Sequence, residues 1–221
     1  MPRAIVIGAS RGIGHELARV YAADGWEVIA TVRRPEDGAA LEALAGVEVA
    51  VADITDEASL VALAGRPGTI DLVVVNAGVG SREAGLDALD PAEWTRVMAV
   101  NALGPLLAAQ ALANSLKDGG SFVALSSMMG SIGGNSGGGS YSYRMSKVAL
   151  NMALMNLAIA WKARRIAVAA IHPGWVKTAI GGAGAPVEVA DSVAGMRTII
   201  AGLTPTGRAR FLDYRGNRLD W

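Results

Sequence analysis

The sequence predicts an α/β fold in one domain, residues 1–221: a doubly wound parallel sheet of about seven strands with helices on both faces. Three observations lead there. Apolar runs of four to six residues alternate with longer stretches of helical periodicity along the whole chain. The first of those runs breaks straight into a glycine turn, Gly8-Ala9-Ser10-Arg11-Gly12-Ile13-Gly14, which opens an amphipathic run from His15 to Ala23. In addition, 52% of the 221 residues are hydrophobic and 28 are glycine, ample material for a full core.

In chain order, strands are expected at 3–7, 27–32, 47–51, 72–76, 121–126 and 166–171, with a short last one at 210–213. The stretches 12–24, 56–64, 91–117 and 143–163 have helical length and periodicity, so neighbouring strands run parallel through right-handed crossovers. Residues 97–116 carry no charge, yet Asn101, Gly104, Pro105, Gln110 and Asn114 mark them as a buried helix and not a membrane span. Residues 1–7 are too short for a leader, and the reading is a soluble cytoplasmic protein. No linker, repeat or second domain is read, and the one low-complexity patch, residues 130–140, is a glycine-serine loop just before Tyr143.

Composition narrows the function. The 20 basic and 20 acidic residues balance and are scattered, which leaves no electrostatic footprint for nucleic acid or an anionic membrane. There is no cysteine, which excludes disulfides, thiolate metal sites and cysteine nucleophiles, and fits a reducing compartment. His15 and His172 have no carboxylate at metal-ligand spacing, so no metal site is expected.

Strand, glycine turn and helix make a phosphate site. Gly8 permits the tight turn, Gly12 lets the backbone approach a pyrophosphate, and Gly14 lets helix and strand pack closely. The helix N-terminus adds unpaired N–H groups and the positive end of its dipole. The spacing is GxxxGxG and not the more familiar GxGxxG; the alternative is an ordinary glycine-rich βα turn. Far downstream, Tyr143 and Lys147 stand four apart, so phenol and ammonium share one helix face. A cation held beside a phenol, whose ordinary pKa is about 10, favours the phenolate, so Lys147 is expected to lower the Tyr143 value. A solvated helix face is the bland alternative, and the phosphate turn upstream weighs against it.

These motifs, taken in order, resemble the short-chain dehydrogenase/reductase family over essentially the whole chain, and the resemblance implies a Rossmann-type fold. Gly8, Gly12 and Gly14, with Ser10, Arg11 and Ile13 between them, match the family's glycine motif. Asp53 with Ile54 matches the element that meets the adenine ring, and Asn76-Ala77-Gly78 matches the NAG element after the fourth strand. Asn101, Ser127, Tyr143 and Lys147 match the catalytic tetrad, and Pro173, Gly174, Val176 and Thr178 lie in a PGxxxT segment used against the nicotinamide amide. The segment 211–214, with Asp220-Trp221, and the run 130–135 resemble more narrowly the C-factor and sniffer-like carbonyl reductases.

By this resemblance the chain would be an NADP-dependent carbonyl reductase. Tyr143 would protonate a ketone or aldehyde oxygen, Ser127 would orient it, and Asn101 would hold a water linking Lys147 to solvent. The C-factor likeness keeps open a cofactor-binding signalling or regulatory protein with incidental reductase activity. Ser127 is preferred over Ser126 because it directly precedes Met128-Met129-Gly130, and Tyr143 over Tyr141 because only Tyr143 has a lysine four residues on. NAD-preferring relatives carry an acidic residue at the end of the second strand, whereas this chain has Val32 followed by Arg33 and Arg34. Arg33 can fork onto a 2'-phosphate, with Arg11 approaching from the other side, so NADPH is the expected cofactor. The other reading is that the two arginines solvate a loop before Pro35.

Two departures from the family pattern stand out. Ile7 replaces a threonine and Val75 an asparagine, so looser turns are expected; Ser127 and Tyr143 are sixteen apart, and the glycine loop absorbs the excess. Met128, Met129, Trp175 and Ile180 suggest an apolar, adaptable pocket under a modest lid in 179–193. The apolar helix 148–161 is either ordinary core or one face of a homodimer.

Overall fold

The computed structural model describes residues 1–66, 68–83 and 85–221. One seven-stranded parallel sheet runs through it in the order β3-β2-β1-β4-β5-β6-β7. Its strands are β1 (Arg3–Ile7), β2 (Glu27–Val32), β3 (Val47–Val51), β4 (Ile70–Val75), β5 (Leu116–Leu125), β6 (Ala167–His172) and β7 (Arg210–Asp213). Helices cover both faces: α1 (Gly12–Ala23), α2 (Ala39–Glu42), α3 (Glu57–Ala64), α4 (Pro91–Met98), α5 (Gly104–Leu112), α6 (Tyr141–Ala160) and α7 (Val189–Ala201). The chain leaves β1 toward β2 and later returns to the other side of β1 at β4, so the crevice of a doubly wound sheet opens between them.

Alternation along the strands builds two cores. Ala4 and Val6 point to the side of α1 and α7, with Leu17, Leu72, Val74 and Met196. Ile5 and Ile7 point the other way, toward α3, α5 and α6, with Leu60, Val73, Phe122, Leu150 and Leu154.

Three expectations are corrected. The stretch 91–117 is not one helix: α4 gives way to a π-helical turn, Ala99–Leu103, before α5 begins, and β5 already starts at Leu116. Pairing along β5 steps from Leu116 opposite Ile70 to Ser121 opposite Leu72, with Gly119 at φ 81°, so residues 117–120 bulge out of the strand. The small-residue segment 179–193 is not all lid, because α7 starts at Val189 and buries Val193, Met196 and Ile200. Short α2 was not anticipated either.

The glycine turn is not loose. Where Ile7 offers no hydroxyl, buried Thr31 of β2 reaches across and its Oγ1 accepts the Gly8 N–H at 3.0 Å. Asn76 Nδ2 donates to the Gly8 carbonyl at 2.5 Å, and the N–H groups of Asn76 and Ala77 both donate to Ile7 O. Thr31→Val keeps the shape but leaves the Gly8 N–H unpaired, which is expected to cost about 1–3 kcal/mol. A urea titration reads this as a lower midpoint at unchanged slope.

Candidate active site

At the carboxyl ends of β1, β4, β5 and β6 lies a cavity of about 460 Å³. Of the residues expected from sequence, it is lined by Ile13, Asn76, Gly78, Ser127, Tyr143, Lys147, Pro173, Gly174, Val176 and Thr178. The strands bring these side chains, scattered over the chain, to one edge of the sheet. Met128, Met129, Trp175 and Ile180 line it too; Met128, Trp175 and Ile180 are exposed large apolar side chains at its mouth.

Tyr143 sits in the first turn of α6 and Lys147 one turn later on the same face, its Nζ 5.7 Å from the Tyr143 ring centroid. Lys147 is buried and donates to the Leu125 carbonyl at 2.8 Å. Gly130 makes this seat possible, since a Cβ there would stand 2.8 Å from Lys147 Cβ. Burial pushes the ammonium down to about 8. Burial also pushes the Tyr143 phenol up, and the hydrogen bond with the Ser127 hydroxyl opposes that rise. The expected lowering of the phenol is therefore corrected in direction: burial raises it, and the opposing pull comes from Ser127.

The competing serines both line the cavity and differ in their hydrogen bonds. Ser126 Oγ donates to Asn151 Oδ1 at 2.7 Å inside the core, whereas Ser127 Oγ accepts from the Met129 N–H at 3.1 Å beside Tyr143. Tyr141 is exposed and outside the cavity lining. His172 ends β6 at the cavity wall, its buried Nδ1 without a partner among the described residues and its pKa lowered by burial against the opposing pull of Asp213.

Asn101 lies in the π turn, 1% exposed. Its Oδ1 accepts from Val79 N, and its Nδ2 donates to Val79 O and to Ser146 Oγ, at 2.8, 2.8 and 3.1 Å. Both Nδ2 protons are thus committed, and one lone pair remains on Oδ1. A point at the missing Cβ of Gly78 is 3.4 Å from that Oδ1 and 3.8 Å from Lys147 Nζ.

The remaining expected residues lie outside the cavity wall. Gly8, Ser10, Arg11, Gly12 and Gly14 form the turn beside it. A Cβ on Gly14 would sit 2.3 Å from Gly8 O, so no other residue fits there. Gly12 meets Thr178 Cγ2 at 3.4 Å on the same measure, which places the segment after β6 over the turn. Among the described residues the N-terminus of α1 has no side-chain cap, and its first turn carries no acid, so its N–H groups are open to an anion. Ala77 follows Asn76 under the turn. Asp53 follows β3; hydrogen bonds from Thr55, main chain first and hydroxyl next, hold its carboxyl below the ordinary range against burial, and Arg33 adds to the effect. Ile54 packs into the core, so its side chain is not available to a ligand.

The two arginines after β2 divide. Arg34 forks onto Asp37 at 2.9 and 3.0 Å within its own loop. Among the described residues neither Arg33 nor Arg11 has an ion-pair partner, and both are exposed. The Asp37 carboxyl is lowered first by its hydrogen bond with Arg34, then by the charges of Arg34, Arg33 and Arg11.

Sequence reasoning missed several supports. Glu83 Oε1 accepts from both the N–H and the hydroxyl of Ser142 at 2.5 Å, capping α6 from a loop 59 positions away. Ser140, where a local cap would stand, is left-handed and makes none. Neither Glu83 nor Thr31 carried a local signal. Among the described residues there is no metal-ligand cluster and no helix long and apolar enough to cross a membrane.

A parallel sheet whose uncapped first helix and Tyr-Lys helix meet at one crevice is the architecture of nucleotide-dependent oxidoreductases. Within that class, this chain belongs to the short chain dehydrogenase family, whose profile matches residues 2–185. It is 39% identical to the C-signal protein of Myxococcus xanthus over 156 residues, 70% of this chain and 94% of that protein. Among solved structures, the NADPH-bound carbonyl reductase from chicken fatty liver superposes with a TM-score of 0.93 at 30% identity, covering 100% of this chain and 99% of that one. The carbonyl reductase Sniffer of D. melanogaster gives 0.92 at 28% identity with the same coverage. The narrower likeness to C-factor and sniffer-like proteins therefore holds.

Proposed function

We propose that this protein is an NADPH-dependent reductase of ketones or aldehydes. The observation that carries the reading is the convergence of Tyr143, Lys147 and Ser127 on one cavity at the sheet's crevice. The chicken and fly relatives are described as carbonyl reductases, the former NADPH-bound, which supports it. The residues fit the cofactor: the open α1 N-terminus with Gly8, Ser10, Gly12, Ile13 and Gly14 would hold the pyrophosphate, and Arg11 and Arg33 the 2'-phosphate. Asp53 and the main chain of Ile54 would meet the adenine. Asn76, Ala77, Gly78, Pro173, Gly174, Val176 and Thr178 would frame the nicotinamide end. When bound, NADPH supplies the hydride.

The chain's own residues supply the rest. Tyr143 gives its proton to the carbonyl oxygen, and a phenol raised by burial is fully protonated at neutral pH, the form reduction requires. Ser127 hydrogen-bonds the same oxygen and fixes its direction. Lys147 holds a positive charge beneath the phenol, and the lone pair left on Asn101 Oδ1 would accept from a water joining it to Lys147. Apolar Met128, Trp175 and Ile180 favour a small, flat hydrophobic carbonyl. Exposed Met145, Met152 and Ile159 on α6, beside exposed Trp94 and Leu103 on the elements packed against it, support a homodimer.

The test is NADPH consumption over a panel of ketones, aldehydes and quinones, run in parallel with NADH. Turnover with NADPH is expected; silence across the panel with intact NADPH binding would favour a cofactor-binding regulatory role. Arg33→Ala is expected to raise the KM for NADPH by about tenfold to a hundredfold, the worth of a charge-assisted pair, and to leave NADH kinetics unchanged. Equal efficiency with NADH in the unmutated protein would overturn the cofactor assignment.

A further inference from the structure

We propose that Trp221 is a positioning residue for the substrate carbonyl: it latches the loop between Ser127 and Tyr143 to the last strand, and thereby holds the Ser127 hydroxyl in register. This rests on the carbonyl-reduction reading above. The loop has little stiffness of its own, since Gly138 and Gly139 both take positive φ. Its own hydrogen bonds are local: Gly130 N to Ser127 O, Ser131 N to Met128 O, Asn135 N to Ile132 O, Gly134 N to Ser131 Oγ and Gly138 N to Asn135 Oδ1. Toward α6 it is tied by Arg144 Nε donating to Gly138 O and by Asn151 Nδ2 donating to Gly130 O. Among the described residues, the hydrogen bonds that reach beyond α6 are two: the N–H groups of Ile132 and Gly133 both donate to the Trp221 main-chain oxygen, each at 3.1 Å.

Trp221 is itself anchored. Its ring lies 5.3 Å from that of Phe211 on β7, tilted by 31°, and Phe211 is 3% exposed. Leu219 N donates to Phe211 O at 3.0 Å, and Arg218 bridges antiparallel to Leu212. Residues 218–221 thus turn back along the edge strand and hand the loop a main-chain acceptor fixed to the sheet. At the loop's near end Ser127 Oγ accepts the Met129 N–H, so slack in the loop reaches that hydroxyl through Met128 and Met129, both of which line the cavity. The glycine turn, on β1 with three strands between it and β7, lies outside this chain of contacts.

The experiment compares the unmutated protein with Trp221→Phe, Trp221→Gly and a deletion of residues 220–221. It reads carbonyl KM and kcat, NADPH Kd, thermal midpoint, and hydrogen exchange at the Gly133 and Met129 amides. Deletion is expected to speed exchange at both amides by about tenfold or more. It should raise the carbonyl KM about tenfold and lower kcat, with NADPH Kd unchanged. Trp221→Phe, which keeps the ring stack and the main-chain oxygen, should restore all of these, and Trp221→Gly should fall between. Undisturbed Met129 exchange in the deletion, or faster exchange with unchanged carbonyl kinetics, overturns the proposal. Loss of NADPH affinity in step with the thermal midpoint also overturns it, as general unfolding. Should the unmutated protein reduce no carbonyl, the reading above fails, and Met129 exchange alone then decides the latch.

Discussion

Tyr143→Phe is expected to lower kcat for carbonyl reduction by about 10²- to 10⁴-fold, the usual worth of a positioned general acid, while leaving NADPH affinity nearly intact. The ring remains, so the cavity wall and the packing under α6 are kept; what disappears is the hydroxyl that Lys147 underlies and Ser127 touches. Because burial holds the phenol protonated, the acid is ready at neutral pH. Stopped-flow measurement of hydride transfer, with NADPH binding titrated separately, checks both halves. A Phe variant of ordinary activity would place the acid elsewhere.

Lys147→Met is expected to abolish most activity and, in the cofactor-free protein, to raise stability at neutral pH relative to wild type. The buried ammonium is displaced from 10.5 to about 8, which corresponds to about 3 kcal/mol of cost for carrying the charge. Between those values the unfolded chain binds the proton and the folded chain does not, so wild-type stability rises with pH across that window. Methionine carries no charge, so its advantage should be greatest below pH 8 and shrink toward pH 10. Losing the hydrogen bond to Leu125 O offsets about 1–3 kcal/mol at every pH. Denaturant titrations at several pH values decide it: a difference that does not vary with pH would remove the buried-charge account. In the wild type, reductive turnover should also decline as pH rises through about 8 and the ammonium is lost.

What could be read from sequence was what short-range chemistry dictates. The strands at 3–7, 27–32, 47–51 and 210–213 have the bounds expected of them, because apolar runs and the turns that end them are local signals. The residues of the glycine turn and the Tyr143-Lys147 face were visible for the same reason. The break in 91–117 was not, because the π turn is set by Asn101 clasping Val79, and the start of β5 by its pairing with Ile70. The direction of the Tyr143 shift escaped as well: four-residue spacing reports the neighbouring cation, but how dry the site is depends on strands that only the fold assembles. Thr31 and Glu83 act on partners 23 and 59 positions away, distances over which a sequence carries no marker.

The sheet keeps the two halves of the molecule in separate packings, α1 settled on one side and α6 on the other. A void opened beneath the dinucleotide helix would be felt at the phenol only through the strands themselves. Changes of packing beneath α1 and beneath α6 can therefore accumulate independently, each on its own side of the sheet.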